Sequence, residues 1–465
     1  MIGRNTELIE LQRIYNSQES EFVMVYGRRR VGKTYLVREF FKNDFVFYCT
    51  GIADGTKEEE LMNFYNEVRI RDEKIGNAVP KTWMQAFDML CRLVEKSSAK
   101  RKVIFLDEVP WMYTQKSDFL KALEHIWNAR FSARKDVVLV ICGSAASWMV
   151  KKIVRSKGGL HNRISLKLKL RPFNLKETKE YMKNLGIHWD NKTIAECYMA
   201  LGGIPYYIKL LDKSLSLAQN IDRLFFRENA VLEDEFKNLY ASLFKDSKDY
   251  EKIVEILSMK KSGYTRDEII EMGNFTNGGG VSEKLEDLVQ CDFIRKYNAI
   301  GEVRSVYQLC DFFTLFYFQF IKKGKTYDSD TWMHLSGRPA MNTWKGLAFE
   351  RLCLAHLPQL KQIMGISGVS TNSYSYYSKT AQIDLVIERG DKVITICEMK
   401  YYDGPLSISK DYADKLRNKI ATVKSAVKRR FTYFLVVVSV DGIKHNEYSS
   451  SLVQQEIRLD SLFVD

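Results

Sequence analysis

Short, unbroken apolar runs recur through the N-terminal third of the chain: Phe22 to Tyr26, Val103 to Leu106 and Val137 to Cys142. Runs of this length without alternation read as strands buried on both faces. After the first run, TYLVREFF has helical spacing, with Leu36, Val37 and Phe40 on one side. Strands alternating with helical segments predict a parallel sheet with helices on both faces. Residues 176–235 are helical and polar, with Tyr181, Tyr198, Tyr206 and Tyr207 expected in the core of that segment.

From residue 248 the pattern changes. Two helical segments flank a Gly-containing turn, and Val281 to Leu288 predicts a third helix. FIRKYNAIGEVRSVYQL then alternates like a hairpin around Ala299-Ile300-Gly301. This is the winged-helix order. The start of the third helix, Asn277-Gly-Gly-Gly280, is poor in base-reading side chains, and Glu283, Glu286 and Asp287 would repel phosphate. That favours a packing or hinge module, while Arg295, Lys296 and Arg304 keep a backbone contact open. In the C-terminal part, Gly346 to Glu350 lies in a helical pattern, and QIDLVIE (382–388) and VITICEMK (393–400) predict adjacent strands.

The chain has 465 residues. At roughly 100–200 residues per domain, that length suggests about three domains. A net charge of +13 points toward a polyanionic partner, DNA before RNA, without excluding a basic protein that binds neither. The eight cysteines stand singly, with no C-x-x-C pair, which argues against a zinc site or disulfide framework and for reduced thiols. The N-terminal MIGRNTELIELQRIY has no apolar h-region, and no apolar run is long enough to span a bilayer. The expectation is a cytoplasmic protein without a membrane segment.

Between the first strand and its helix, Gly27-Arg28-Arg29-Arg30-Val31-Gly32-Lys33-Thr34 fits G-x-x-x-x-G-K-[ST], with Tyr35 following. Gly27 and Gly32 permit a turn that aims backbone N–H groups at phosphate oxygens, and the helix N-terminus adds partial positive charge. Lys33 should reach the β- and γ-phosphates of ATP, and Thr34 should bind Mg²⁺. The second strand ends in Asp107-Glu108. In this Walker B arrangement Asp107 holds Mg²⁺ and Glu108 orients the attacking water. Ser144, after the third strand, is either a γ-phosphate sensor or an ordinary helix cap.

Ile2-Gly3-Arg4, GRRRVGKT, the LDE of Walker B and Gly202-Gly203-Ile204-Pro205 together resemble the archaeal-type ATPases, an AAA-like branch of P-loop NTPases, over roughly residues 1–240. The resemblance implies that Gly3 and Arg4 lie near the adenine and that the Gly-Gly-x-Pro segment opens a helix of a small lid. It also implies an arginine shortly before the last core strand. Here Gly159-Leu160-His161-Asn162-Arg163 keeps the Arg without the preceding Pro or Gly. Arg163 is thus either a finger for a neighbouring subunit's γ-phosphate, in a homo-oligomer, or part of the basic stretch Lys167, Lys169, Arg171.

In the C-terminal part, a helical Glu350, then Asp384, then Glu398-x-Lys400 resembles the PD-(D/E)XK nucleases, with Ile in place of Pro before the Asp. Period-two alternation turns Glu398 and Lys400 to one face. The resemblance implies that Asp384 and Glu398 hold Mg²⁺, that Lys400 positions or deprotonates water, and that Glu350 orients the metal or its water shell. Lys415, Arg417, Lys419, Lys424, Lys428, Arg429 and Arg430 would make the following helix a track for a phosphate backbone.

The expected architecture is α/β throughout: a P-loop core (1–175), a helical lid (176–240), a winged helix (241–325) and a restriction-endonuclease-like α/β domain (341–465). The expected activity is an ATP-gated, Mg²⁺-dependent nuclease. The alternative is a nucleotide-dependent switch or DNA-binding regulator whose last domain binds without cutting.

Overall fold

The apolar run at Phe22 forms β1 (Glu21–Tyr26), and the further strands of its sheet are β2 (Phe45–Thr50), β3 (Lys102–Asp107), β4 (Val137–Gly143) and β5 (Leu166–Lys169). The computed structural model describes residues 1–464 apart from 76–77, 115–116, 156–159, 161, 299–304, 323–330, 337–338, 378–381 and 428–429. It divides the chain into two compact units, Met1–Pro172 and Phe173–Asp465.

In the first unit the strand order is β2-β3-β4-β1-β5, and each pairing is parallel. Every residue of β3 and β4 is buried, as expected for central strands covered on both faces. On one face Phe64, Phe87 and Phe119 pack around Trp83, with ring centroids 5.7, 5.8 and 4.8 Å from the indole. The edge strand β2 alternates between half-buried and buried positions, a pattern the sequence reading did not pick out.

In the second unit, helices Leu175–Asn184, Asn191–Leu201 and Pro205–Lys209 come first. The Gly-Gly-x-Pro segment has a steric cause. Gly202 is left-handed (φ +67), and a Cβ on Gly203 would lie 1.9 Å from the Phe173 carbonyl oxygen. Phe173 N–H donates to Gly203 O at 2.7 Å, so the backbones touch and Pro205 begins the next helix.

Helices Ser247–Ser258, Arg266–Gly273 and Gly279–Gln290 follow, with β6 (Tyr264–Thr265), β7 (Ile294–Asn298) and β8 (Ser305–Leu309) in an antiparallel sheet ordered β6-β8-β7. The turn Ala299-Ile300-Gly301 and Arg304 lie outside the described residues.

The helix Pro339–Ala355 leads to β9 (Thr371–Tyr377), β10 (Gln382–Arg389), β11 (Val393–Lys400), β12 (Leu406–Ser407), the helix Lys410–Ala426, β13 (Thr432–Ser439), β14 (Ile443–Lys444) and β15 (Gln455–Arg458). Five of these strands form a mixed sheet, β15-β13-β11-β10-β9. Its β9, β10 and β11 are antiparallel neighbours, and β11, β13 and β15 run parallel. The helix between β11 and β13 buries Ala413, Leu416 and Val423 against Ile394, Ile396 and Leu435.

One buried histidine ties the start of this unit to its later helices. His356 Nε2 accepts from Leu175 N–H at 2.9 Å, and Nδ1 lies 2.8 Å from Leu352 O. The carbonyl can only accept, so Nδ1 carries the proton. Burial lowers the pKa from 6.5 to about 4, the Leu352 bond opposing. A depressed folded pKa gives stability that is present above the unfolded value and lost as pH falls through the folded one. The window is therefore 6.5 down to about 4, and the contribution is on the order of 3 kcal/mol. H356Q keeps an acceptor and removes the titration. Its melting temperature should fall less steeply than that of the parent across this window. Parallel slopes would show that His356 carries no such linkage.

Candidate functional site

The P-loop glycines are where the backbone demands them. Gly27 has φ +144, and a Cβ there would sit 2.2 Å from Leu170 O on the continuation of β5. Gly32 has φ +91 with open space around its Cβ position, and helix Lys33–Phe41 starts directly after it. Arg30 also lies in the left-handed region, at φ 71. Successive residues in such conformations turn N–H groups toward one concavity, and the helix end adds its field.

Lys33 is buried and extends across the loop mouth. Its Nζ donates to Arg28 O at 2.9 Å and to Ser144 Oγ at 3.1 Å. Thr34 Oγ1 donates to Asp107 Oδ2 at 2.7 Å. Burial raises the Asp107 pKa, and the bond from Thr34 opposes it. This hydroxyl and carboxylate are hard oxygen donors, the set that suits Mg²⁺.

Ser144 connects both halves of the site. Its N–H and Oγ–H donate to the two Glu108 oxygens at 3.0 and 2.5 Å. Glu108 adopts φ +48, an uncommon conformation for a side-chain-bearing residue. Ser144 thus holds the Walker B glutamate while accepting from Lys33. Of the remaining loop residues, Val31 and Arg28 are buried, Arg29 and Arg30 are half-buried and Tyr35 is exposed. Arg4 buttresses the loop, donating from Nη2 to Val31 O at 3.0 Å. The buried Cys142 thiol, near the end of β4, also opposes the rise in the Asp107 pKa, a role that the motif alone does not announce. Arg163 is exposed, while Gly159 and His161 lie outside the described residues.

A second cluster forms in the C-terminal sheet. Leu385 pairs with Cys397 across β10 and β11, which brings Asp384 and Glu398 side by side at the end of that register. Glu350, Asp384 and Glu398 are 4%, 3% and 1% exposed. Burial would lower the Lys400 pKa, but Glu398, Asp384 and Glu350 together carry it above the usual lysine value. All three carboxylates therefore act on one ammonium. Burial, then the nearby Asp384 charge, pushes Glu350 up to about 7 against the pull of Lys261.

Three partners in this cluster were not foreseen. Glu398 accepts from Tyr412 Oη at 2.9 Å and Lys419 Nζ at 2.5 Å, besides pairing with Lys400 at 3.3 Å. Tyr412 and Lys419 stand seven positions apart, two turns, on the helix after β11, so their shared face was readable. The third, Lys261, ion-pairs with Glu350 and with Asp384 at 3.5 Å, and nothing local in the sequence announces it.

The basic helix is not a free track along its whole length. Lys419 is bound to Glu398, Arg417 pairs with Asp414 at 2.7 Å, and Lys424 lies over Tyr433. Lys428 and Arg429 lie outside the described residues. In the antiparallel hairpin, Arg295 bonds Gln308 and reaches Ser375 on β9 at 3.4 Å, and Lys296 lies 5.9 Å from the centre of the Tyr307 ring. Among the described residues, no group of three or more Asp, Glu, His or Cys is arranged to hold a metal ion, and no helix is long and apolar enough to cross a membrane.

Residues 1–211 match the family described as an ATPase domain predominantly from Archaea. An uncharacterized protein of Methanocaldococcus jannaschii is 25% identical over 424 residues, covering 90% of this chain and 91% of its own length. An uncharacterized ATP-binding protein of the same organism is 43% identical over 42 residues, 9% of this chain and 71% of that protein. The Walker-type ATPase of Pyrococcus abyssi superimposes with a TM-score of 0.50 at 16% identity, covering 69% of this chain and 96% of that one, a likeness of fold. Residues 1–211 thus match an archaeal-type ATPase domain and carry the P-loop geometry described above.

Proposed function

We propose that this protein is an ATP-dependent nucleic-acid-processing enzyme in which the nucleotide state gates a Mg²⁺-dependent phosphodiesterase site at Glu350, Asp384, Glu398 and Lys400. The single observation that carries the reading is the convergence of these four side chains from one helix and two adjacent strands. Buried carboxylates without a catalytic or binding use are costly, so such clusters point to function.

Bound Mg²⁺ would supply positive charge against the phosphate as it gains negative charge. The donor set suits it: the acids offer hard oxygens, and Glu350 Oε2 is buried with no hydrogen-bond partner among the described residues. Asp384 and Glu350 would hold the ion, and Glu398 would complete the set, once the lysines now paired with these carboxylates give way. Glu350 Oε2 is placed to hold the attacking water. Lys400, kept cationic by its acidic neighbours, stabilises the phosphate rather than acting as a base. As the water oxygen bonds to phosphorus, its proton would pass to Glu350 Oε2, and the ester bond to the leaving sugar oxygen would break, that oxygen taking a proton from solvent.

ATP binding and hydrolysis belong to the first unit. Lys33 and the P-loop amides hold the phosphates, Thr34 and Asp107 are the pair for Mg²⁺, and Glu108 orients water. Ser144 is read as the residue that keeps Glu108 in position and reports the γ-phosphate through Lys33. Nucleic acid, DNA before RNA, is the polyanion that the basic chain and a phosphodiesterase site would share. Assembly into a homo-oligomer would give the exposed Arg163 a neighbour's phosphate to contact.

The second reading, a switch whose last domain binds without cutting, rests on the lysines already paired with the acids.

Two measurements separate these roles. Ser144→Ala should retain ATP binding and lose about a hundredfold in ATP turnover, since a misplaced Glu108 no longer aligns water; unchanged turnover would remove Ser144 from the mechanism. Purified protein should also be incubated with plasmid and single-stranded DNA, with Mg²⁺ or Mn²⁺, with and without ATP. Cleavage is expected to vanish in Lys400→Ala and to change in Lys33→Ala. Intact ATP hydrolysis with no cleavage in any condition would leave the switch.

A further inference from the structure

We infer that Lys261 is a built-in cation that takes the place of a divalent metal between Glu350 and Asp384 and keeps the acidic site closed. The inference rests on the phosphodiesterase reading and adds its regulation. A single ammonium pairs with both carboxylates, one on a helix and one on a strand. Bridging two buried acids is what a metal does in such a donor set. Lys261 reaches them from the turn between helix Ser247–Ser258 and β6, far away in sequence.

The turn is fixed, so the ammonium is delivered and not simply within reach. Lys261 O accepts from Arg351 Nη2 and from Gln308 Nε2, both at 2.6 Å. Ser262 O accepts from the Tyr297 hydroxyl. Gly263 has φ +76, and a Cβ there would meet Tyr307 O at 2.0 Å, so the turn is pressed onto β8. Arg351 adjoins Glu350 on the same helix, so one helix supplies both the acid and a clamp on the turn that neutralises it.

The charges close without a metal. Three carboxyl groups, Glu350, Asp384 and Glu398, are matched by three lysine side chains, Lys261, Lys400 and Lys419. A divalent ion entering this set would meet Lys261 at the shared carboxylate oxygens, with like-charge repulsion in a poorly solvated place. Metal binding and retention of Lys261 are therefore mutually exclusive. Opening the site means drawing the turn and its β6-β8-β7 sheet away from the helix that bears Glu350.

Lys261→Met keeps most of the unbranched side chain and removes the charge, leaving two buried acids without their cation. In EDTA this variant should melt below the parent. Mn²⁺, added without nucleotide, should raise its melting temperature more than it raises the parent's, because metal binds the folded state. Calorimetric titration with Mn²⁺ should give a site at least about tenfold tighter than in the parent, and Lys261→Met/Asp384→Asn should lose it. Gln308→Leu, which removes one of the two donors to the Lys261 carbonyl without touching an acid, should move Mn²⁺ affinity in the same direction by less, and covers the case of a poorly folded Lys261→Met. Equal Mn²⁺ affinity in the parent and both variants would overturn the inference. Tight Mn²⁺ binding by Lys261→Met with no cleavage of DNA or RNA would uphold the plug and defeat the phosphodiesterase reading. Cleavage by the parent at the rate of Lys261→Met would overturn the plug and leave that reading standing.

Discussion

Neighbouring strands in a sheet lie about 4.8 Å apart, and the position of β4 between β1 and β3 turns that spacing into a catalytic dimension. The P-loop follows β1 and the Walker B acids end β3, so one strand's width separates them. Thr34 meets Asp107 directly across this gap, whereas Lys33 and Glu108 share a partner. Ser144, just past β4, spans it by accepting from Lys33 and donating to Glu108. The left-handed backbone of Glu108 belongs to the same constraint, since it turns the carboxylate back toward β4. Gly27 completes the frame from the other side, where the approach of β5's continuation leaves no space for a Cβ.

The parts of this arrangement that could be read in advance are those whose physics is local. A phosphate cradle needs glycines, a lysine and a hydroxyl at fixed offsets, so Gly27 to Thr34 is visible in one line of sequence. A buried parallel strand needs an unbroken apolar run, so β3 and β4 are visible too. The edge strand β2 is fully buried only at Phe47 and Cys49, and its run carries no chemistry at its end. The steric meaning of Gly203 depends on Phe173, thirty positions earlier, and its carbonyl cannot be seen from the motif.

Lys261 marks where sequence reading stops for a general reason. Glu350, Asp384, Glu398 and Lys400 are ordered by a resemblance that fixes residue types and spacing. The residue that neutralises two of them comes from a segment whose own pattern predicts only a turn between helices. Tyr412 and Lys419 are intermediate cases, since a helix after β11 with polar groups two turns apart had to present them to one side. The division of 173–465 is similarly hidden. Elements that look separable by pattern form one unit because His356, Arg351 and Arg295 bridge them through long-range bonds.

This internal use of charge changes what the net +13 means. Lys419 and Lys261 are held by buried carboxylates, and Arg351 by a backbone carbonyl, so these cations are not available to a polyanion in the described arrangement. The total charge of a chain counts such residues equally with exposed ones, whereas association depends on those that face solvent. If the turn bearing Lys261 withdraws, its ammonium becomes exposed as two acids become available to metal. One movement would then add a phosphate-attracting charge to the surface and open the acidic cluster proposed for phosphate chemistry. Metal binding and polyanion binding would favour the same rearranged state, and each would strengthen the other by linkage, with no contact between the two ligands required.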